Sequence, residues 1–134
     1  MNTVLIIDDD TRLLQSMGIA LELQGFRVLQ AQDAYQGLAT ACREHPDALV
    51  IDVNLPAGDG FSIQSRLRTA TGWRIPVIYM TGDSSETVKQ TALRVGAHEV
   101  LQKPFHSSEL CVLLKEAIEY ADSVSMPPAV ETHG

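Results

Sequence analysis

The sequence predicts a doubly wound α/β domain: a five-stranded parallel sheet with five helices packed on its two faces. Three observations point there. Short, wholly apolar runs alternate with longer stretches whose apolar residues recur at helical spacing. The runs are rich in branched residues and lack the alternation of a half-exposed strand, as expected where both faces are covered. Several runs end in an acid, a hydroxyl or a lysine, and the connections of a parallel sheet bring such strand ends to one edge.

Val4-Leu5-Ile6-Ile7 is the first strand. Leu13, Leu14, Met17, Ala20, Leu21 and Leu23 then trace one face of a helix that Gly25 stops. Phe26 to Leu29 reads as the second strand. Asp33-Ala34-Tyr35-Gln36 has the form of a capping box and opens a helix to about Arg43. Ala48-Leu49-Val50-Ile51 is the third strand, ending at Asp52, and a Pro/Gly-rich loop runs from Leu55 to Gly60. A third helix is expected from Phe61 to Arg68, and a fourth strand from Pro76 to Met80, ending at Thr81. Glu86 to Val95 is a helix stopped by Gly96, Glu99 to Gln102 a weaker strand, and Ser108 to about Tyr120 the last helix. No periodicity follows from Asp122 onward, so residues 1–121 are expected to form one domain and 122–134 a flexible tail or the start of a linker.

A chain of 134 residues fits a single core. Its formal net charge of -7 argues against broad nucleic-acid binding, which needs a basic surface. The charge suits divalent cations, although a solvated acidic surface explains it as simply. Cys42 and Cys111 lie in helical patterns and outside any C-x-x-C spacing, and are expected to be reduced thiols in or near the core. No leader pattern precedes the first strand and no apolar stretch nears the roughly 20 residues of a membrane span, so the expected compartment is the cytoplasm. His45, His98, His106 and His133 are scattered and lack metal-ligand spacing. Trp73 and Tyr79 read as packing residues. Ser62, Ser65, Ser107 and Ser108 have no partner base in the sequence, and no glycine-rich phosphate loop is present.

The strand ends carry the chemistry. The first ends in Asp8, Asp9 and Asp10, the third in Asp52 with Asn54 two residues on, the fourth in Thr81, and the fifth in Lys103-Pro104. Carboxylates gathered there repel one another. Mg2+ relieves that repulsion and prefers oxygen ligands: Asp8 or Asp9, Asp52, and a backbone carbonyl near Asn54. A phosphoryl group on Asp52 would add about two negative charges and three acceptor oxygens, which Mg2+, the Lys103 ammonium and the Thr81 hydroxyl complement. Asp10, beside the acidic pair, reads as a helix cap.

These segments resemble the receiver domains of response regulators. Leu5-Ile6-Ile7-Asp8-Asp9-Asp10 is similar to their opening strand and acidic pair. Ile51-Asp52-Val53-Asn54-Leu55-Pro56, with Asp59-Gly60, resembles their phospho-acceptor segment. Thr81-Gly82 and Lys103-Pro104-Phe105 resemble their hydroxyl and lysine-proline signatures. Each motif alone is weak; four in order, at the right strand ends, are specific, and the likeness covers residues 3 to about 121. It implies the flavodoxin-like receiver topology. It implies that Asp52 accepts a phosphoryl group from a sensor histidine kinase or a histidine phosphotransfer protein, with Thr81 and Lys103 touching that group. Asp8, Asp9, Asp52 and the Asn54 carbonyl would hold Mg2+, with Mn2+ able to substitute. The peptide bond before Pro104 would be cis and would aim the lysine. The implied protein is a signalling protein that supports its own phosphotransfer and autodephosphorylation, rather than an enzyme with a separate substrate. It would switch a downstream protein partner, as a monomer or a phosphorylation-linked homodimer.

One position departs from the family pattern: Val100 stands where an aromatic residue usually swings inward. Valine has no ring and a stiff χ1, so a different rearrangement is expected to carry the signal. Asp83 and Asn54, each two residues beyond a site residue, flank the expected path of an attacking water. Three other readings fit less well. A haloacid-dehalogenase-type phosphatase would need a small residue where Asp8-Asp9-Asp10-Thr11-Arg12 puts Arg, and leaves Asp52 and Lys103 unexplained. A flavin module would have its phosphate repelled by three acids. A receiver-like module that is never phosphorylated has no need of the full residue set. The ending Glu131-Thr132-His133-Gly134 favours a stand-alone protein over a piece of a longer regulator.

Overall fold

The computed structural model describes residues 1–55, 60–83 and 85–124. Strands and helices alternate: β1 (Thr3–Ile7), α1 (Thr11–Leu23), β2 (Arg27–Ala31), α2 (Ala34–Glu44), β3 (Ala48–Asp52), α3 (Gly60–Thr71), β4 (Val77–Thr81), α4 (Glu86–Arg94), β5 (Glu99–Gln102) and α5 (Ser107–Val124). The five strands form one parallel sheet in the order β2-β1-β3-β4-β5, the fold class expected from the sequence.

Strand alternation sends neighbouring side chains to opposite faces, and the sheet therefore has two cores. Val4, Ile6, Val50, Ile78 and Met80 pack under α1 and α5, against Leu14, Leu21, Leu110, Leu114 and Ile118. Leu5, Ile7, Leu49, Ile51, Val77 and Tyr79 pack under α2, α3 and α4, against Ala41, Ile63, Leu67 and Ala92. Each fully buried aliphatic side chain contributes about 1.5–3 kcal/mol. α2 lies so close to β1 that a Cβ at Gly37 would run into the Ile7 side chain.

Local chemistry sets the helix starts. Asp10 caps α1, its Oδ1 accepting from the N–H of Arg12 at 3.0 Å and of Leu13 at 3.2 Å. Asp33 caps α2 by accepting from the Gln36 N–H at 2.8 Å. Gln36 reaches back as the capping box requires, but to the N–H of Gln32 rather than that of the cap residue.

Several boundaries and one burial differ from the sequence expectation. β2 is shifted to Arg27–Ala31, because its extent follows its ladder with β1, Thr3 opposite Arg27 through Ile7 opposite Ala31. Phe26 is buried in the preceding turn. α3 extends to Thr71, whose hydroxyl donates to the Leu67 carbonyl and accepts from the Trp73 N–H. α5 runs on to Val124, so residues 122–124 continue a helix where a tail was expected; residues 125–134 lie outside the described residues. Cys111 is buried, but Cys42 is exposed, being on the solvent side of α2. Tyr79 is buried and Trp73 half-buried against the same core. No described helix is long and apolar enough to cross a membrane.

Candidate functional site

Strand order places the site. β1 and β3 are neighbours in parallel register, with Ile7 opposite Ile51. The connections from these two strands leave toward opposite sides of the sheet, to β2 and to β4, and this opens a crevice at their carboxyl ends. Asp8 and Asp52 stand next in line on the two strands. β4 and β5 deliver Thr81 and Lys103 to the same edge, where the Lys103 N–H donates to the Thr81 carbonyl at 2.7 Å. The Lys103–Pro104 bond is cis.

Carboxylate oxygens of Asp8, Asp9 and Asp52 lie within 4.8 Å of one another. Asp8 and Asp52 are buried and Asp9 is exposed. The two buried acids are held alike. Asp8 Oδ1 accepts from the Asp10 N–H at 2.9 Å, and Asp52 Oδ1 from the Asn54 N–H at 3.0 Å. Their Oδ2 atoms share the Lys103 ammonium, 2.8 Å from Asp8 and 3.5 Å from Asp52.

The electrostatics follow from burial. Desolvation pushes the Asp52 pKa up, and the Asp8 charge adds to this; the Asn54 N–H and Lys103 oppose it without cancelling it. Burial pulls Lys103 down, but its hydrogen bond to Asp8 and the charges of Asp8 and Asp52 outweigh burial, and its pKa is raised. Three carboxylates facing one ammonium leave an excess of negative charge on hard oxygen donors. That donor set fits a divalent cation of the Mg2+ type.

Of the residues expected at the site, Asp8, Asp9, Asp52 and Lys103 are brought together. Thr81 is buried at the end of β4, the neighbour of β3, but its hydroxyl is engaged elsewhere: it accepts from the Asp83 N–H at 2.9 Å and faces the Asp83 carbonyl at 3.3 Å. Asn54 is exposed, and its N–H orients Asp52. The Asp83 carboxylate accepts from the N–H and hydroxyl of Ser85, at the start of α4. Val100, on β5 opposite Tyr79, is half-buried against the α4-side core. Pro56 and Asp59, parts of the expected acceptor segment, lie outside the described residues.

Sequence reasoning missed the role of Gly60. A Cβ there would collide with the Asp52 carbonyl oxygen, so glycine lets α3 start directly against the backbone that carries Asp52. A glycine closing the loop after a strand-end acid was the available signal.

The sequence model of the response regulator receiver domain matches residues 4–115. The chain is 35% identical over 122 residues to the transcriptional regulatory protein PrrA of Mycobacterium tuberculosis, covering 91% of this chain and 52% of PrrA. It is also 35% identical over 127 residues to the KDP operon transcriptional regulatory protein KdpE of Escherichia coli, covering 95% of this chain and 56% of KdpE. The chain thus spans about half the length of the curated relatives it matches. Among solved structures, a CheY-like response regulator receiver domain from Methanospirillum hungatei superposes with a TM-score of 0.85 at 28% identity, covering 92% of this chain and 98% of that one. A receiver domain from Clostridium thermocellum also gives 0.85, at 27% identity, covering 92% and 99%.

Proposed function

Because the chain belongs to the response regulator receiver domain family of two-component systems, we propose that Asp52 is its phosphoryl acceptor and that transfer depends on Mg2+. The observation that carries this reading is the cluster of Asp8, Asp9 and Asp52 with the Lys103 ammonium bridging two of its members. The donor is the phosphohistidine of a sensor histidine kinase or a histidine phosphotransfer protein.

Asp8, Asp9 and Asp52, with the Asn54 carbonyl, would hold the cation, and Mn2+ would serve with the same oxygen ligands. When bound, the metal supplies positive charge against which acceptor and phosphoryl oxygens approach. The chain's own residues do the rest. The Asn54 N–H holds Asp52 Oδ1, which keeps the carboxylate oriented. Oδ2, on the Lys103 side, is the oxygen we assign to attack on phosphorus. The P–N bond to the donor imidazole breaks, and the ring nitrogen keeps the electron pair. Lys103 then offsets charge on the product.

Thr81 supplies the switch. Its hydroxyl must release the Asp83 backbone to reach a phosphoryl oxygen, and this release would loosen the turn that leads into α4. With valine at position 100 the response would pass through this turn and α4 rather than through a rotating ring. The downstream partner is a protein, bound by the monomer or by a phosphorylation-linked homodimer. This chain itself binds no nucleic acid, and it works in the cytoplasm as one domain whose last helix runs to Val124.

Incubation with acetyl phosphate tests the proposal by intact mass. One phosphoryl group should add to the wild type with Mg2+, and none with EDTA or in Asp52→Asn. A wild type that stays unmodified with Mg2+ would make the chain a receiver-like binding module instead.

A further inference from the structure

A second polar site lies at the opposite end of β4 from Thr81. A cleft of about 600 Å3 opens between the ends of α3 and α5 and the segments leading into β4 and β5. Arg68, Arg74 and Arg94 line it, and among the described residues no carboxylate does. In a chain of net charge -7 that is a local reversal of sign. None of the three arginines is in an ion pair among the described residues.

Gln64 is the independent sign of a ligand. It lines the cleft yet is only 7% exposed. Its Oε1 accepts from the Tyr79 hydroxyl at 2.8 Å, while its amide nitrogen has no acceptor among the described residues. A buried donor left open is destabilising, so such groups are normally satisfied. Beside that nitrogen stands Gly96, and even a Cβ there would come no nearer than 3.9 Å.

We propose that this cleft binds a small phosphate-bearing ligand of nucleotide size. Guanidinium forks pair with phosphate oxygens in bidentate geometry, and three of them with one amide donor suit more than one phosphate. The Tyr120 ring, 63% exposed on one wall, offers a face for a planar base. Ile75, Pro76 and Val95 give an apolar floor, and the volume lies within the usual range of small-molecule pockets. A free phosphate would leave ring and floor unused.

The test uses the whole chain in EDTA, with ADP, pyrophosphate and a polyglutamate peptide as probes, followed by amide NMR titration. ADP should shift residues 64, 68, 74, 75, 94–98 and 120. The double variant Arg68→Gln/Arg94→Gln, both exposed positions, should weaken ADP about tenfold, a loss of about 1.4 kcal/mol. Tyr120→Ala should weaken ADP and leave pyrophosphate unchanged. The proposal is overturned by no response to millimolar ADP, by unaltered affinity in the double variant, by tighter binding of polyglutamate than of ADP, or by shifts confined to residues 8–10 and 52–54.

Discussion

Lys103 and Asp8, 95 residues apart in the chain, are joined by a 2.8 Å charge-assisted hydrogen bond, and Asp8 is fully buried. Removing the ammonium leaves two buried acids facing each other. Lys103→Met is expected to destabilise the metal-free protein by roughly 2 kcal/mol. That is less than the ~3–5 kcal/mol of a fully buried pair, because water still reaches part of Lys103. Urea unfolding in EDTA measures it. Added Mg2+ should recover part of the loss, and acetyl phosphate should no longer label the variant.

The raised Asp52 pKa has a signed consequence for metal-free protein. The folded state holds the Asp52 proton to higher pH than the unfolded state does. Stability therefore falls as pH rises from the ordinary aspartate range through the folded value, then levels off. Asp52→Asn should flatten this slope. Lys103 acts at the alkaline end: its contribution is complete below the ordinary lysine range and is lost as pH rises through its raised value. Denaturation midpoints across pH in EDTA check both limbs.

Mg2+ should raise the melting temperature at neutral pH. At one hundred times its dissociation constant the linkage contribution is about 2.7 kcal/mol. Asp9→Asn should lose most of this gain while folding normally, since Asp9 is exposed. An equal Mg2+ response in the variant would remove Asp9 from the ligand set.

Gly37→Ala should cost about 1–3 kcal/mol through overpacking against Ile7. Ile7→Val in the same chain removes the Cδ1 methyl that the new Cβ meets. The double variant should be more stable than the sum of the two single changes implies. Strict additivity in a denaturation cycle would mean that α2 shifts instead.

Asp83→Ala is expected to change the decay rate of the aspartyl phosphate. It deletes the carboxylate holding Ser85 while keeping the backbone groups that bind Thr81. Loss of the turn should cost roughly 0.5–1 kcal/mol. A lowered melting point with unchanged decay would limit Asp83 to shaping the start of α4. Beryllofluoride should shift amide signals in residues 85–121; silence there would exclude a switch through α4.

The central strands were legible because β1, β3 and β4 are covered on both faces and are apolar at all but one terminal position each. β2 misled because an edge strand takes its length from its partner's ladder, not from its own hydrophobicity. The strand-end acids and Lys103 could be read as converging, since parallel topology leaves them one edge. The engagement of the Thr81 hydroxyl by Asp83 could not, because it depends on how one loop closes. Nor could the arginine cleft, whose charges come from positions 68, 74 and 94 in separate segments that only the folded sheet brings together.

The ammonium that balances Asp8 and Asp52 comes from the residue that follows β5, an edge strand and the last of the sheet to be synthesised. Until that strand docks, the acids supplied by the first half have no counter-charge and no finished pocket. In the proposed phosphotransfer, a chain not yet folded through Lys103 would carry Asp52 without the pocket that its acceptor role requires.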